Sequence, residues 1–279
     1  MTTATVQVPV QGGHGLGERL RWALRDGLLI AGRDVSHWVR EPQLILWTLL
    51  FPIIFVLLFA YVLGSSMQVA GGGSYQQFLM PGMFVQTMAF GLGETVAAVQ
   101  ADNAKGVMDR FRSMPIAPSA VVLGRVMANM LYSVISLVVM LGCGLLVGWR
   151  WNTGLAGLAL GVALLLLLRL AMMWLGIVLG LKAKSAEMAN GLFGLLYPVT
   201  MLSNAFASPE LMPGWLGAIA TWNPLSWTTT ATREAFGNPG ATSGGWVSEH
   251  AVMLAVMWPL LVTAITLPFA VRAFQRLSR

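Results

Sequence analysis

Apolar residues in this chain gather into blocks about twenty long, set apart by short polar stretches. Six blocks stand out, at residues 44–64, 78–99, 126–147, 155–181, 188–207 and 251–271. A hydrocarbon core about 30 Å thick takes roughly 20 residues at a helical rise of about 1.5 Å each. The pattern therefore predicts an all-α polytopic membrane protein of six transmembrane helices. Four of the blocks, 44–64, 126–147, 188–207 and 251–271, hold no charged residue at all.

Ahead of the first block the period changes. Leu20, Leu24, Leu28, Ala31, Val35 and Trp38 recur at helical spacing, and Arg19, Asp26, Arg33 and Arg40 repeat on another face. Residues 17–41 thus predict an amphipathic helix lying on the membrane surface, with Trp22 and Trp38 at headgroup depth. A soluble helix packed on a partner protein is the alternative. Residues 1–16 read as a flexible terminus with no apolar core of a cleaved signal, so the first span is expected to be retained as an anchor.

The connections between blocks are unequal. Residues 65–77, 148–154 and 182–187 are short links, whereas 100–118 and 208–250 are longer. The second of these is too apolar for a solvated loop. Leu211, Met212, Trp215, Leu216, Ile219 and Trp222 form a helical stripe before Asn223 and Pro224, and a second helical stretch runs from Leu225 to Phe236. These predict short re-entrant or capping helices before the last span, allowed where backbone is buried in protein.

Composition agrees and excludes alternatives. The 279 residues are 56% hydrophobic and only 10% charged, against the roughly 25% charged expected of soluble domains, and mean hydropathy is +0.71. A net charge of +6 and a pI near 10.1 do not make a nucleic-acid patch, because the basic residues bracket the apolar blocks. Their placement sets orientation instead. With six spans, Arg19, Arg21, Arg25, Arg33, Arg40, Lys105, Arg110, Arg112, Arg125, Lys182, Lys184, Arg272, Arg276 and Arg279 share the side of both termini, fourteen against two (Arg150 and Arg233) on the other. Both termini are expected to be cytoplasmic, with 42–271 as the transmembrane domain and 272–279 as a cytoplasmic tail.

Candidate chemistry is sparse. Cys143 stands alone, so no intramolecular disulfide is possible; His14, His37 and His250 lie apart without metal-ligand spacing; and none of Lys105, Lys182 and Lys184 follows a glycine as a phosphate-binding loop requires. Glu94 and Arg169 fall inside spans, where a central charge costs about 2.5–3.5 kcal/mol on insertion scales. They are read as a pair, as residues lining a path, or as structural and snorkelling groups. The block 188–207 is the most polar of the uncharged ones, with Asn190, Tyr197, Thr200, Ser203 and Asn204 around Pro198, and is a candidate for a cavity wall or a subunit interface. Pro52, Pro198, Pro259 and Pro268 are expected to bend their spans. Glycine pairs four apart, at 144 and 148, 157 and 161, and 176 and 180, permit close helix packing within or between chains.

Within 100–118, Val107, Met108 and Phe111 form apolar knobs among Asp102, Lys105, Asp109, Arg110 and Arg112, in a short helix stopped by Pro115 and Pro118. At these residues the sequence resembles the membrane subunits of type-2 ABC exporters. The matching elements are Asp102, Gly106, Asp109, Met114-Pro115 and Gly124-Arg125, with Asn223-Pro224-Leu225-Ser226 and Arg233 resembling the segment before the last span. Phe111-Arg112-Ser113-Met114-Pro115 is most similar to the daunorubicin/doxorubicin-resistance type of permease. Asp102 and Asp109 stand where the family more often has glutamate.

That resemblance implies that 100–118 docks on a separate nucleotide-binding subunit, present in two copies, which binds ATP and Mg. It also implies a second permease, identical or related, beside this one. The chain itself would then carry no cofactor, no metal site and no catalytic residue. An ion-coupled carrier is the runner-up, although inverted repeats are not evident. Few buried charges and many Met and Trp residues favour a hydrophobic or amphipathic cargo, such as a drug, polyketide or lipid, over a polysaccharide.

Overall fold

A computed structural model of the chain describes residues 42–64, 69, 72–104, 118–240 and 245–277, without the side chains of 42–49, 63, 118–125, 271 and 273–277. The expected surface helix at 17–41, and Lys105, Gly106, Val107, Met108, Asp109, Arg110, Phe111, Arg112, Met114 and Pro115, lie outside the described residues.

All regular structure among the described residues is helical. Helix α1 spans Pro42–Leu57 and continues through a π-helical turn, Leu58–Leu63. Then come α2 (Tyr75–Ala104), α3 (Pro118–Val147) and α4 (Gly154–Lys182). Two short helices follow, α5 (Ala186–Gly194) and α6 (Leu196–Met201), then a 3-10 turn at Pro209–Leu211. Helices α7 (Gly214–Trp222), α8 (Pro224–Phe236), α9 (Trp246–Glu249) and α10 (Ala251–Leu277) complete the chain. By length and apolar composition, α2, α3, α4 and α10 can each cross a membrane.

Helices α2 and α4 form the centre and run in the same direction. A Cβ on Gly176 would meet Leu92 and Thr95, and one on Gly180 would meet Val96 and Val99, so glycine lets the two backbones close up. The pairs 157/161 and 176/180 therefore both pack within the chain, the first against Ala235 and Phe236 of α8. Helix α3 runs the opposite way, its Gly144 beside Met80 and Phe84 and its Val126 clustered with Val99. Helix α10 parallels α4, with Ala251 and Ala255 near Leu164 and Ala270 near Ile177. Its apolar window is 17% buried against 78% for α2, so α10 presents most of its surface to lipid or a partner, whereas α2 is core. The starts of α2, α4 and α10 and the end of α3 consequently share one face. The opposite face carries the end of α2, the start of α3, and exposed Lys182, Lys184 and Arg272.

The first face is closed by α8 and the 148–154 link. Asn223 caps α8, accepting from the Leu225 N–H at 2.9 Å, and Pro224 occupies the first turn, where a missing N–H costs nothing. Gly237 ends it in the left-handed conformation at φ 66°. Trp149, fully buried, donates to Asn238 Oδ1 at 2.8 Å and packs edge-on against Phe84 and Phe236. The Asn152 N–H donates to Phe236 O at 2.8 Å and the Thr153 hydroxyl to Ala235 O, so this link clasps the end of α8.

The block 188–207, read from sequence as one span, is not one helix. Pro198 has no N–H to offer Gly194, and the ladder breaks at Leu195. Beyond Met201 the Ser203 hydroxyl donates to Thr200 O at 2.5 Å, and 202–208 forms turns rather than helix. At the other end Ser185 caps α5 by accepting from the Met188 N–H at 3.3 Å. The same hydroxyl, then Glu187's own backbone N–H, hold the Glu187 carboxyl below its usual range.

Gly82 of α2 gives a direct test of this packing. A Cβ there would lie 2.6 Å from Ala205 O and 2.7 Å from Ala205 Cα, backbone that cannot swing away. Gly82→Ala is expected to cost about 1–3 kcal/mol, seen as a lower unfolding temperature in detergent. Gly142→Ala, with nothing within 4 Å, should be neutral or slightly stabilising.

Candidate functional site: a polar cavity at mid-span

Near the middle of the bundle, α1 to α6 enclose a cavity of about 200 Å³. Its polar edge is built on the central helix pair. Arg169 sits halfway along α4 and is 3% exposed; its Nη2 donates to Glu94 Oε2 of α2 at 3.1 Å. Glycine makes this possible, because a Cβ on Gly91 would sit 0.9 Å from Arg169 Nη1. The pair is neutral as a unit, which lowers the cost of holding either charge at this depth. Among the described residues its hydrogen bonding is incomplete: Arg169 Nε and the neighbouring Ser136 Oγ have no partner there, and beside the cavity both amide atoms of Gln86 are also unmatched. The remaining wall is largely aromatic. Phe51, Phe90, Phe193 and Tyr197 touch one another in tilted and edge-on contacts with centroids 4.9–5.9 Å apart. Tyr132, Ser133 and Thr87 complete the lining.

A second cavity, about 370 Å³, opens toward the face closed by α8. Asn204, Ser226, Thr230 and Trp227 form its floor, with Glu210, Met212 and Ser248 among the rest of its lining.

Of the residues singled out from sequence, Glu94, Arg169 and Tyr197 meet at the first cavity. Thr200, Ser203 and Asn204 are buried and Asn204 lines the second, while Asn190 and Pro198 are exposed on α5 and α6. Asp102 is half-buried on the last turn of α2. Trp215 and Trp222 are exposed on α7. Arg233, near the end of α8, is fully buried, and Asn223 donates to Val199 O and Leu202 O at 2.7 and 3.1 Å. Sequence reasoning passed over Ser133, Ser136 and Tyr132 of α3. Their signal was present, as three polar or amphipathic positions on one helical face of an otherwise apolar block.

Long apolar helices packed around polar groups and open space mark an integral membrane protein. The family model of the ABC-2 type transporter matches residues 27–236. The chain belongs to that family and is the permease subunit of an ABC exporter, which works with an ABC ATPase. It is similar to the daunorubicin resistance ABC transporter permease protein DrrB1 of Streptomyces coeruleorubidus, 32% identical over 234 residues, 82% of this chain and 81% of that one. The probable doxorubicin resistance ABC transporter permease protein DrrC of Mycobacterium tuberculosis is 21% identical over 253 residues, 90% of this chain and 88% of its own. The probable multidrug ABC transporter permease YbhR of Escherichia coli K12 is 23% identical over 206 residues, 72% of this chain and 53% of its own.

Proposed function

We propose that this permease exports a hydrophobic or amphipathic, drug-like cargo from the cytoplasm or inner leaflet, past the cavity between α1 and α6. The observation that carries this reading is the aromatic wall around a mutually neutralised Glu94–Arg169 pair at mid-span. Such a surface suits an apolar body with a few polar substituents and gives a heavily hydrated glycan little to bond. Relatives named for resistance to daunorubicin and doxorubicin support it.

In this reading the chain crosses a bacterial inner membrane six times with both termini cytoplasmic. Helix α1 with its π-turn, and α5 with α6, supply the two crossings beyond the four long helices. The face carrying Lys182, Lys184 and Arg272 is cytoplasmic. ATP and Mg are bound by a separate ABC subunit in two copies, gripped at 100–118, and a second permease, identical or related, completes the path.

Co-reconstitution with the ABC ATPase tests it. Daunorubicin and doxorubicin are expected to stimulate ATP hydrolysis several-fold over the cargo-free rate, with no response to a lipid-linked glycan. Stimulation by the glycan alone would reverse the cargo assignment.

A further inference from the structure

One stretch of chain runs from the lining of one cavity to that of the other. Tyr197 lines the inner one, Asn204 and Pro209 line the outer one, and residues 202–208 run between without a helical ladder. Backbone as buried as this must find its hydrogen bonds elsewhere. Side chains from neighbouring helices supply them. Asn223 holds Val199 O and Leu202 O, the Tyr75 hydroxyl donates to Phe206 O at 3.1 Å, and Ser226 Oγ accepts from the Asn204 N–H at 2.9 Å.

Arg233 is the centre of this arrangement. Its Nη2 donates to Asn204 O at 3.0 Å and Ala205 O at 3.3 Å, and its Nε to Phe78 O at 3.0 Å. The guanidinium carbon lies 3.6 Å from the Phe78 ring centroid. The side chain is fully buried, and among the described residues no carboxylate faces it. A buried cation is normally matched by an anion. Here the matching is done by carbonyl dipoles of the partition itself and by a ring of α2. The cation is therefore satisfied only while 202–208 stays where it is, and the segment has no ladder of its own to hold it there.

We infer that Arg233 is a positioning residue which holds 202–208 closed as the partition between the inner and outer cavities, and that release of this partition is the outward step of transport. The inference rests on the exporter reading. Lysine is a poor substitute, because one ammonium cannot reproduce the planar fork that reaches two carbonyls and Phe78 O together.

The test uses the permease co-expressed with its ATPase, in intact vesicles, on a Cys143→Ser background. Ser203→Cys, 1% exposed, reports on the partition, and Ala171→Cys, buried in α4, reports on the bundle. A membrane-impermeant maleimide is added outside. Arg233→Gln is expected to raise the labelling rate at position 203 by about tenfold or more, as a shift toward the open population. Arg233→Lys should fall between, with position 171 protected throughout. An unchanged rate at 203 beside a protected 171 overturns the inference.

If Arg233→Gln exposes both positions, the native-arginine chain decides. Faster labelling of 203 during ATP turnover supports the partition, and no change across the cycle overturns it. Drug-stimulated ATPase on the same vesicles reports on the exporter reading separately: labelling that responds to Arg233 without drug stimulation keeps the partition and removes the cargo.

Discussion

Arg169→Met is expected to lower both stability and drug export, while Arg169→Met combined with Glu94→Gln recovers most of the stability. The single change strands the Glu94 carboxylate at mid-span. Removing one member of a fully buried pair costs about 3–5 kcal/mol; Glu94 is 36% exposed, so solvent screening brings the expected cost below that range, to about 2 kcal/mol. The double change removes both charges and leaves nothing stranded, so the coupling in the cycle should be large. Gly91→Ala reaches the same pair by sterics, because the new methyl takes the space of the guanidinium. Export need not recover in the double variant, because the polar edge of the cavity is gone. Thermal unfolding and drug efflux of the four combinations decide the matter. Harmless single changes, in folding and in export alike, would end the case for a functional pair.

The long helices were legible because hydrophobic thickness acts on any block of suitable length, wherever its contacts fall. Helix α8 was legible for a local reason. Asn223-Pro224 at one end and Gly237 at the other are cap and stop signals that need no tertiary information. In the block 188–207 Pro198 announced a bend, but a hydropathy window does not show how far the hydrogen-bond ladder is lost, which is a break at Leu195 and an end at Met201. The burial of Arg233 was not legible at all. From sequence it is one of two basic residues on the side opposite the termini. Its actual partners are the backbone oxygens of Phe78, Asn204 and Ala205, 155, 29 and 28 residues away. Every residue type offers that same oxygen, so no side-chain pattern announces the contact. The Glu94–Arg169 pair lies between these cases. Two opposite charges in apolar blocks invite pairing, but their meeting depends on the parallel register of α2 and α4 and on glycine at position 91.

The largest loss is expected from Phe111→Ala, in the loop between the end of α2 at Ala104 and the start of α3 at Pro118. Both helix ends lie on the face that carries Lys182, Lys184 and Arg272, and in the proposed topology that is the face a cytoplasmic ATPase would meet. Phe111 is the one aromatic among Lys105, Asp109, Arg110 and Arg112. Interfaces of this kind concentrate their energy in an aromatic anchor, and truncating one costs about 2–4 kcal/mol, which weakens docking by roughly 30- to 800-fold. The surrounding charges act mainly on association rate and its salt dependence. Phe111→Ala should therefore abolish drug-stimulated ATP hydrolysis and export, while membrane insertion and unfolding temperature stay at native values, because position 111 lies outside all six apolar blocks. Arg110→Ala or Arg112→Ala should instead slow assembly at high salt with far smaller losses of export. Retention of stimulated ATPase in Phe111→Ala would show that the force enters the bundle elsewhere. Asp102 on the last turn of α2 would then be the next position to change.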